Sequence, residues 1–340
     1  MQANGQQHDH FTDLDGMRGI LACLVMLMHF GSDRMIAILT HGYLDRCEWD
    51  LSVDFFFVLS GFVLARSFEN RPPSLGDYAV KRFFRLAPMF LIALFAVLIC
   101  GVSFDRSTLL TNIFIFQSVV GLNSLNYPSW SIPFEMFLPA LAVPMIKGWS
   151  TFDRARTKLI FAAVMLGAIV SAYCLACASD HRLLRALFGL GLGSLLYRLT
   201  EYKLDEWRGS SIVVMALFVS IMFVMLMAHR FPIVSVVFHP LVVATVTSGA
   251  KAQTLFSARI CQALGRWSYS IYLLHIPMLM MTAKLLGSNP VDHNPILKVV
   301  LAFTTVGVAA GAYRFIECPL MLRATSTRKS MPSPLRKLLS

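Results

Sequence analysis

Long apolar stretches recur from one end of this sequence to the other, and they restrict the possible folds more than any other feature. A helix needs about 17 to 25 predominantly apolar residues to cross a bilayer. Stretches of that kind occupy residues 16–34, 51–68, 84–104, 129–147, 159–178, 183–199, 211–228, 231–249, 267–286 and 297–316. Only 14% of the 340 residues are charged, against about a quarter in soluble domains. The sequence therefore predicts an all-α, polytopic membrane protein with about ten transmembrane helices.

The apolar stretches form one continuous membrane domain. We expect a short cytoplasmic N-terminal segment at residues 1–15, the transmembrane domain at residues 16–320 and a basic cytoplasmic tail at residues 321–340. Residues 1–13 contain no lysine or arginine, whereas a cleavable signal peptide begins with a basic region. The first helix is therefore expected to remain in the protein.

The net charge of +11 is better explained by membrane orientation than by nucleic-acid binding. Most lysines and arginines lie in alternate loops, around residues 66–85, 147–158, 198–208 and 251–266, and after residue 314. Cytoplasmic loops carry such an excess, and basic loops attract anionic lipid headgroups. We therefore expect both termini in the cytoplasm, membrane lipid as a partner and no nucleic-acid partner.

The first apolar stretch contains two ionisable residues on one helical face. Arg18 and His29 are eleven residues apart, which brings them within about 20° of the same line and about 16 Å apart along the axis. Ionisable groups are costly inside a bilayer and usually mark a site or a pathway. A histidine bonded to a neighbouring helix and an arginine reaching the headgroups are the alternatives, but their shared face favours a functional pair.

Two carboxylates are predicted at about the depth of His29. Asp54 lies near the outer end of the second stretch, where it could hold one imidazole nitrogen and leave the other as a general base. Capping of the helix start or exposure to water are the alternatives for Asp54. Glu135 lies among prolines in the fourth stretch, and a buried carboxylate needs a partner there. We expect His29, Asp54 and Glu135 to form the catalytic group.

Two further arginines open the third stretch. Arg82 and Arg85 are three residues apart and therefore share a helical face. Taken alone, these two arginines are best explained as anchors of the helix at the cytoplasmic boundary. Together with Arg18, however, they would form a cluster suited to bidentate phosphate binding. We therefore predict a cytoplasmic site for an anionic donor at these three residues.

Four other residues are candidates for lining a substrate cavity, namely Ser60, Trp130, Tyr272 and His275. Tyr272 and His275 belong to a polar stripe on the ninth stretch. Close helix packing is the alternative for Ser60, and a hydrogen-bonded structural role is the alternative for His275. No metal site is predicted.

Six motifs follow one another along the chain: LDGMRGILACLVMLMHF, VDFFFVLSGFVL, KRFFRLAPMF, SWSIPFE, LGRWSYSIYLLHIPML and YRFIECP. In this order they resemble the acyltransferase-3 family of integral membrane acyltransferases, in its O-acetyltransferase form without an extra periplasmic esterase-like domain. The resemblance implies transfer of an acyl group, most commonly acetyl from acetyl-CoA, to a hydroxyl of a carbohydrate or glycolipid. It also implies a bacterial cytoplasmic (inner) membrane.

The resemblance also implies roles for individual residues. His29 corresponds to the family's essential histidine, as a base or as an acyl carrier, and Arg18 to its partner arginine. Arg82 and Arg85 match the RxxR motif, and Glu135 matches the first of two adjacent glutamates. The second glutamate is replaced here by Met136, and the usual arginine of the last motif by Cys318.

A transporter or flippase for a lipid-linked sugar is the alternative from another class. Polar residues and prolines within membrane helices fit that function as well. The sequence shows no internal repeat, however, and a cytoplasmic arginine cluster is better explained by an anionic donor. The sequence therefore favours the enzyme.

Overall fold

The computed structural model describes residues 11–31, 37–38, 40–43, 46–70, 74–139, 154–176, 182–201, 210–250, 253–287 and 295–323. Within these ranges every regular element is helical, and there is no strand. The helices are α1 Thr12–His29, α2 Leu51–Asn70, α3 Leu75–Ile99, α4 Arg106–Ile113, α5 at 132–139, α6 Arg154–Ala176, α7 Arg182–Glu201, α8 Ser211–Met227, α9 Phe238–Gly249, α10 Arg259–Leu286 and α11 Pro295–Ala312. Helix α11 continues through a π turn, Tyr313–Glu317, to residue 323.

Among the described residues, four helical segments are long and apolar enough to cross a membrane. They are Gly76–Ile99, Pro232–Gly249, Arg259–Leu286 and Pro295–Arg323. The all-helical class predicted from the sequence is therefore confirmed. The count of about ten crossings and the side of the termini stay predictions, and residues 1–10 and 324–340 lie outside the described ranges.

Polar capping residues, which hydropathy does not detect, set several helix boundaries. Helix α3 begins nine residues before the predicted stretch, because the Ser74 hydroxyl accepts a hydrogen bond from the Asp77 backbone N–H. Asp105 starts the unpredicted helix α4 in the same way, and hydrogen bonds from Thr108 lower the pKa of its carboxyl. Helix α1 ends at His29 rather than at residue 34, and Gly31 follows with a left-handed φ of 77°.

Glycines bring the helices that carry the candidate site into close contact. A Cβ atom at Gly19 of α1 would lie 2.4 Å from the Gly265 nitrogen of α10, and one at Gly265 would lie 2.3 Å from the Asp15 carbonyl oxygen. Helices α2 and α7 meet similarly, since a Cβ at Gly193 would lie 1.9 Å from the Val58 carbonyl oxygen. Small residues permit such backbone approach in membrane proteins. The α1–α10 contact therefore fixes which side chains of these two helices meet.

Candidate active site

A cavity of about 550 Å³ lies between α1, α2, α3, α5, α10 and the π turn. Its volume is within the usual range of small-molecule sites, about 300 to 1,000 Å³. Its charged lining consists of five cations and three carboxylates: Arg18, Lys81, Arg82, Arg85, Arg266, Asp15, Glu135 and Glu317. Five of the six sequence motifs contribute a charged residue to it. The cavity is therefore the one place where most of the predicted site residues meet.

The three predicted donor-binding arginines all face this cavity. Arg18 donates to the Gly265 carbonyl oxygen at 2.9 Å and pairs with Asp15 at 3.0 Å. Its Nε is buried and has no hydrogen-bond partner in the part of the chain that the structure describes. Arg82 donates to the Tyr78 hydroxyl at 2.9 Å.

Arg85 is the least constrained of these arginines. Its side chain is exposed on the cavity and forms no hydrogen bond or ion pair with any described residue. Arg18 and Arg82 lie close enough to repel it electrostatically, whereas Glu135 and Glu317 attract it. The arrangement places unsatisfied guanidinium donors around a space that an anion can enter.

Besides Asp15, which pairs with Arg18, two carboxylates line the arginine cavity, and of these two only Glu135 was predicted. Glu135 accepts a hydrogen bond from the Ser60 hydroxyl at 3.1 Å, and both residues line the cavity. This position was expected for Ser60, whereas Glu135 was predicted beside His29 and lies with the arginines instead. Glu317, on the π turn, accepts a hydrogen bond from Ser270 of α10 and is buried. The sequence offered one indication of Glu317, namely a carboxylate directly after the last apolar stretch. The family resemblance concerned the neighbouring Cys318 instead.

His29 lies outside this cavity and is paired with His275. The His29 Nδ1 is 2.9 Å from the Val25 carbonyl oxygen and 3.2 Å from the His275 Nε2. His275 is fully buried, whereas His29 is half-buried at the last residue of α1. The half-exposed ring of Tyr127 approaches His29 with a centroid separation of 5.8 Å. His29 therefore has a protein-facing side at His275 and a more open side at Tyr127.

Tyr272 is in contact with both the cavity and His275. It lines the cavity, and its ring centroid is 6.2 Å from that of His275. Its hydroxyl donates to the Pro128 carbonyl oxygen at 2.5 Å and lies 3.3 Å from the Ser131 hydroxyl. One face of α10 thus carries both the cavity wall and the partner of His29.

The predicted contact between Asp54 and His29 is not found. Both carboxylate oxygens of Asp54 accept from Arg185 of α7, at 3.1 and 3.0 Å, and both side chains are buried. An arginine is the stronger partner because it binds a carboxylate through two parallel hydrogen bonds. The catalytic assignment of Asp54 therefore loses its geometric basis. Arg185, which sequence reasoning missed, had one signal: a cation inside an apolar stretch.

Trp130 belongs to the same structural cluster rather than to the cavity. The Arg185 guanidinium lies 5.0 Å from its ring centroid, and Phe57 packs edge-on at 6.1 Å. Trp130 and His275 are absent from the cavity lining, in contrast to the sequence prediction, whereas Ser60 and Tyr272 are part of it. Across the described ranges, no group of three histidine, cysteine or acidic side chains is arranged to hold a metal ion.

Comparison with known proteins decides the family. The sequence model of an acyltransferase domain, that of the acyltransferase-3 family, matches residues 11–314. The chain belongs to this family. Its membership and its apolar helices make this acyltransferase-3 protein an integral membrane protein.

The similar curated proteins share the domain at low identity. The peptidoglycan O-acetyltransferase OatA of Listeria monocytogenes is 23% identical over 363 residues, covering 92% of this chain and 56% of the relative. The putative peptidoglycan O-acetyltransferase YrhL of Bacillus subtilis is 24% identical over 368 residues, covering 93% and 55%. This acyltransferase-3 protein thus spans just over half the length of these relatives. Protein 2 in the picA locus of Rhizobium radiobacter is 28% identical over 173 residues, covering 45% of this chain and 82% of the relative. No solved structure matches the chain.

Proposed function

We propose that this protein is a membrane O-acyltransferase that moves an acetyl group from acetyl-CoA to a hydroxyl of a carbohydrate or glycolipid. The observation that carries the proposal is the meeting of Arg18, Arg82 and Arg85 in one cavity. Tyr272, which lines the same cavity, lies next to His275, the partner of His29. An anion site and a base thus lie near the same tyrosine.

The cavity suits the donor because CoA carries phosphate groups at one end and the thioester at the other. Guanidinium groups bind phosphate through charge-assisted hydrogen bonds. The unpartnered Arg18 Nε and the unpaired Arg85 side chain supply donors for such bonds. In this proposal the phosphates bind at the arginines and the pantetheine arm points toward Tyr272.

His29 is the proposed base for the chemical step. The histidine removes the proton from the acceptor hydroxyl as its oxygen attacks the thioester carbonyl. The carbon–sulfur bond then breaks, and the proton on His29 passes to the departing CoA sulfur. Catalysis of this kind needs the histidine within hydrogen-bond reach of the hydroxyl, and the half-buried position of His29 leaves room for an acceptor.

The acceptor is proposed from the relatives. Two of them are named as actual or putative peptidoglycan O-acetyltransferases, and peptidoglycan is a carbohydrate polymer. A carbohydrate hydroxyl reaching His29 beside Tyr127 is therefore the acceptor that we propose for this chain. The proposed location is the bacterial cytoplasmic membrane, with the acceptor on the side of His29.

The first test follows radiolabel from acetyl-CoA. Membranes carrying the wild-type protein, His29→Ala or Arg82→Ala are incubated with labelled acetyl-CoA and native host membranes as the acceptor source. We expect label to enter a polysaccharide or glycolipid fraction with the wild type and not with His29→Ala. Excess acetyl-CoA should restore activity to Arg82→Ala, because that variant loses donor affinity rather than the base.

The matched control is His229→Ala, which changes a histidine that pairs with Glu48 at 3.2 Å, away from the cavity lining. Retained transfer by this variant shows that loss of a histidine does not itself inactivate the protein. Equal behaviour of wild type and His29→Ala, with no acetyl transferred or hydrolysed, would contradict the proposal. A transporter would then be the better hypothesis.

A further inference from the structure

The hydrogen bonds of His29 determine which of its two ring nitrogens carries a proton. A carbonyl oxygen only accepts hydrogen bonds, so the Nδ1 of His29, 2.9 Å from the Val25 carbonyl oxygen, must be the donor. In the neutral ring the Nε2 is then unprotonated. No described residue forms a hydrogen bond with this Nε2, so its lone pair is available to a substrate.

His275 is fixed in a complementary state by its own helix. Its Nδ1 lies 3.2 Å from the Ile271 carbonyl oxygen and donates to it. The Nε2 of the neutral ring is therefore an acceptor, and the Nδ1–H of His29 lies 3.2 Å away from it. The two rings thus form a directed chain in which the Val25 carbonyl and His275 share the proton of His29.

We propose that His275 is the positioning residue for His29: its Nε2 accepts the Nδ1 proton of His29, fixes the plane of that ring and directs the free Nε2 toward the substrate. This inference rests on the proposed function and deepens it. His275 occupies the place that the aspartate takes in a Ser-His-Asp triad. The aspartate of such a triad orients the histidine base and stabilises the protonated histidine. The alternative partner Asp54 is already paired with Arg185.

The burial of His275 agrees with this role. A neutral acceptor needs no counterion, so a fully buried imidazole orients His29 without the cost of burying a charge. The close α1–α10 contact at Gly19 and Gly265 holds the two helices that carry the pair. Both rings bind a carbonyl oxygen four residues earlier on their own helix, which limits their rotation.

The direct test uses nitrogen NMR on the full-length protein labelled with ¹⁵N-histidine in membranes. The signals of His29 and His275 are assigned by their loss in His29→Gln and His275→Gln. We expect an unprotonated His29 Nε2, a protonated His29 Nδ1 and a coupling across the hydrogen bond from that Nδ1 to the His275 Nε2. A proton on the His29 Nε2, or no coupling between the rings, overturns the proposal whether or not the protein transfers acetyl groups.

The kinetic test compares His275→Phe, His275→Gln and His239→Phe. We expect His275→Phe to lower kcat about 10- to 100-fold, the range found when the hydrogen-bond partner of a metal-bound histidine is lost, with an unchanged KM for acetyl-CoA. The side-chain oxygen of His275→Gln supplies an acceptor near the original Nε2 position and should restore much of kcat. His239 is a second fully buried histidine, outside the site, so its variant controls for lost packing.

The outcomes separate the two proposals. If the wild type transfers label and His275→Phe behaves like His239→Phe, the positioning role is wrong and the acyltransferase function stands. If both aromatic variants fold but only His275→Phe loses kcat, and His275→Gln recovers it, the positioning role is supported. Failure of the wild type to use acetyl-CoA contradicts the proposed function and leaves the nitrogen coupling as the test of the histidine pair.

Discussion

The single residue that best tests donor binding is Arg85. It faces the cavity without a hydrogen-bond partner among the described residues. Its substitution therefore removes no intramolecular hydrogen bond to those residues. Hydrogen bonds to charged groups are worth about 1.5 to 3 kcal/mol, which corresponds to about 10- to 100-fold in affinity. We expect Arg85→Gln to raise the KM for acetyl-CoA by that factor with little change in kcat, measured by label transfer at varied donor concentration.

The control for Arg85 is Arg314→Gln. Arg314 lies on the π turn and contacts the Phe315 ring, but it does not line the cavity. The same loss of positive charge should leave the KM for acetyl-CoA unchanged there. A fall in kcat at constant KM for Arg85→Gln would instead place this arginine in the chemical step.

The sequence identified several residues of the site, but it missed Glu317 and Arg185 and did not identify which residues are in contact. The costs of burying Arg18, His29 or Glu135 in a membrane are local properties, so the sequence alone marked these residues as exceptional. Their partners come from distant parts of the chain: His275 is 246 residues from His29, and Arg185 is 131 residues from Asp54. Only helix packing determines such pairs, and for this reason the predicted contact between Asp54 and His29 is not found.

At the level of helices, the glycine contact between α1 and α10 predicts opposite effects of a glycine-to-alanine substitution on the melting temperature at Gly19 and at Gly307. Alanine is normally favoured over glycine in a helix by about 1 kcal/mol. At Gly19, however, the new methyl group would lie 2.4 Å from the Gly265 nitrogen, and overpacking costs about 1 to 3 kcal/mol. We expect Gly19→Ala to lower the melting temperature in detergent and also the transfer activity, because the helices that carry Arg18 and His275 are pushed apart.

Gly307→Ala is the matched substitution on α11. A Cβ atom there meets no described atom within 4 Å beyond the adjoining backbone of its own helix, so the same change should keep or raise the melting temperature and leave transfer unchanged. Size-exclusion chromatography after heating measures both variants in detergent. Equal stability of Gly19→Ala and Gly307→Ala would show that the α1–α10 contact is looser than the described geometry.

The long apolar helices were predictable from the sequence, whereas the short helix α4 and several helix ends were not. Apolar stretches identify helices because the bilayer leaves backbone groups no other way to satisfy their hydrogen bonds. The ends depend on polar caps beyond the apolar stretch, as at Ser74 before α3 and Asp105 before α4. The last turn of α1 shows the functional consequence, because the helix stops at His29 and leaves that ring half-buried at a helix end.

For the whole molecule, the structure shows which helix ends lie at the arginine cavity and which lie at His29. The cavity gathers the beginning of α1 at Arg18, the beginning of α10 at Arg266 and the π turn at Glu317. His29, at the opposite end of α1, contacts Tyr127, the first residue of the short 3-10 helix before α5. The start of the first described helix and the end of the last one therefore lie on the arginine side. The basic loops predict that this side is cytoplasmic.

This orientation predicts reporter activity at two fusion points. Green fluorescent protein after Ser340 should fluoresce and alkaline phosphatase there should be inactive, because the C-terminus is expected in the cytoplasm. After Gly121, in the loop on the His29 side, phosphatase should be active and the fluorescent protein dark. Reversed activities at both points would place the arginine cavity outside the cell, where acetyl-CoA is not supplied, and would contradict donor binding from the cytoplasm. Phosphatase active at both points would instead require an even number of crossings between them and would contradict the cytoplasmic position of the C-terminus alone.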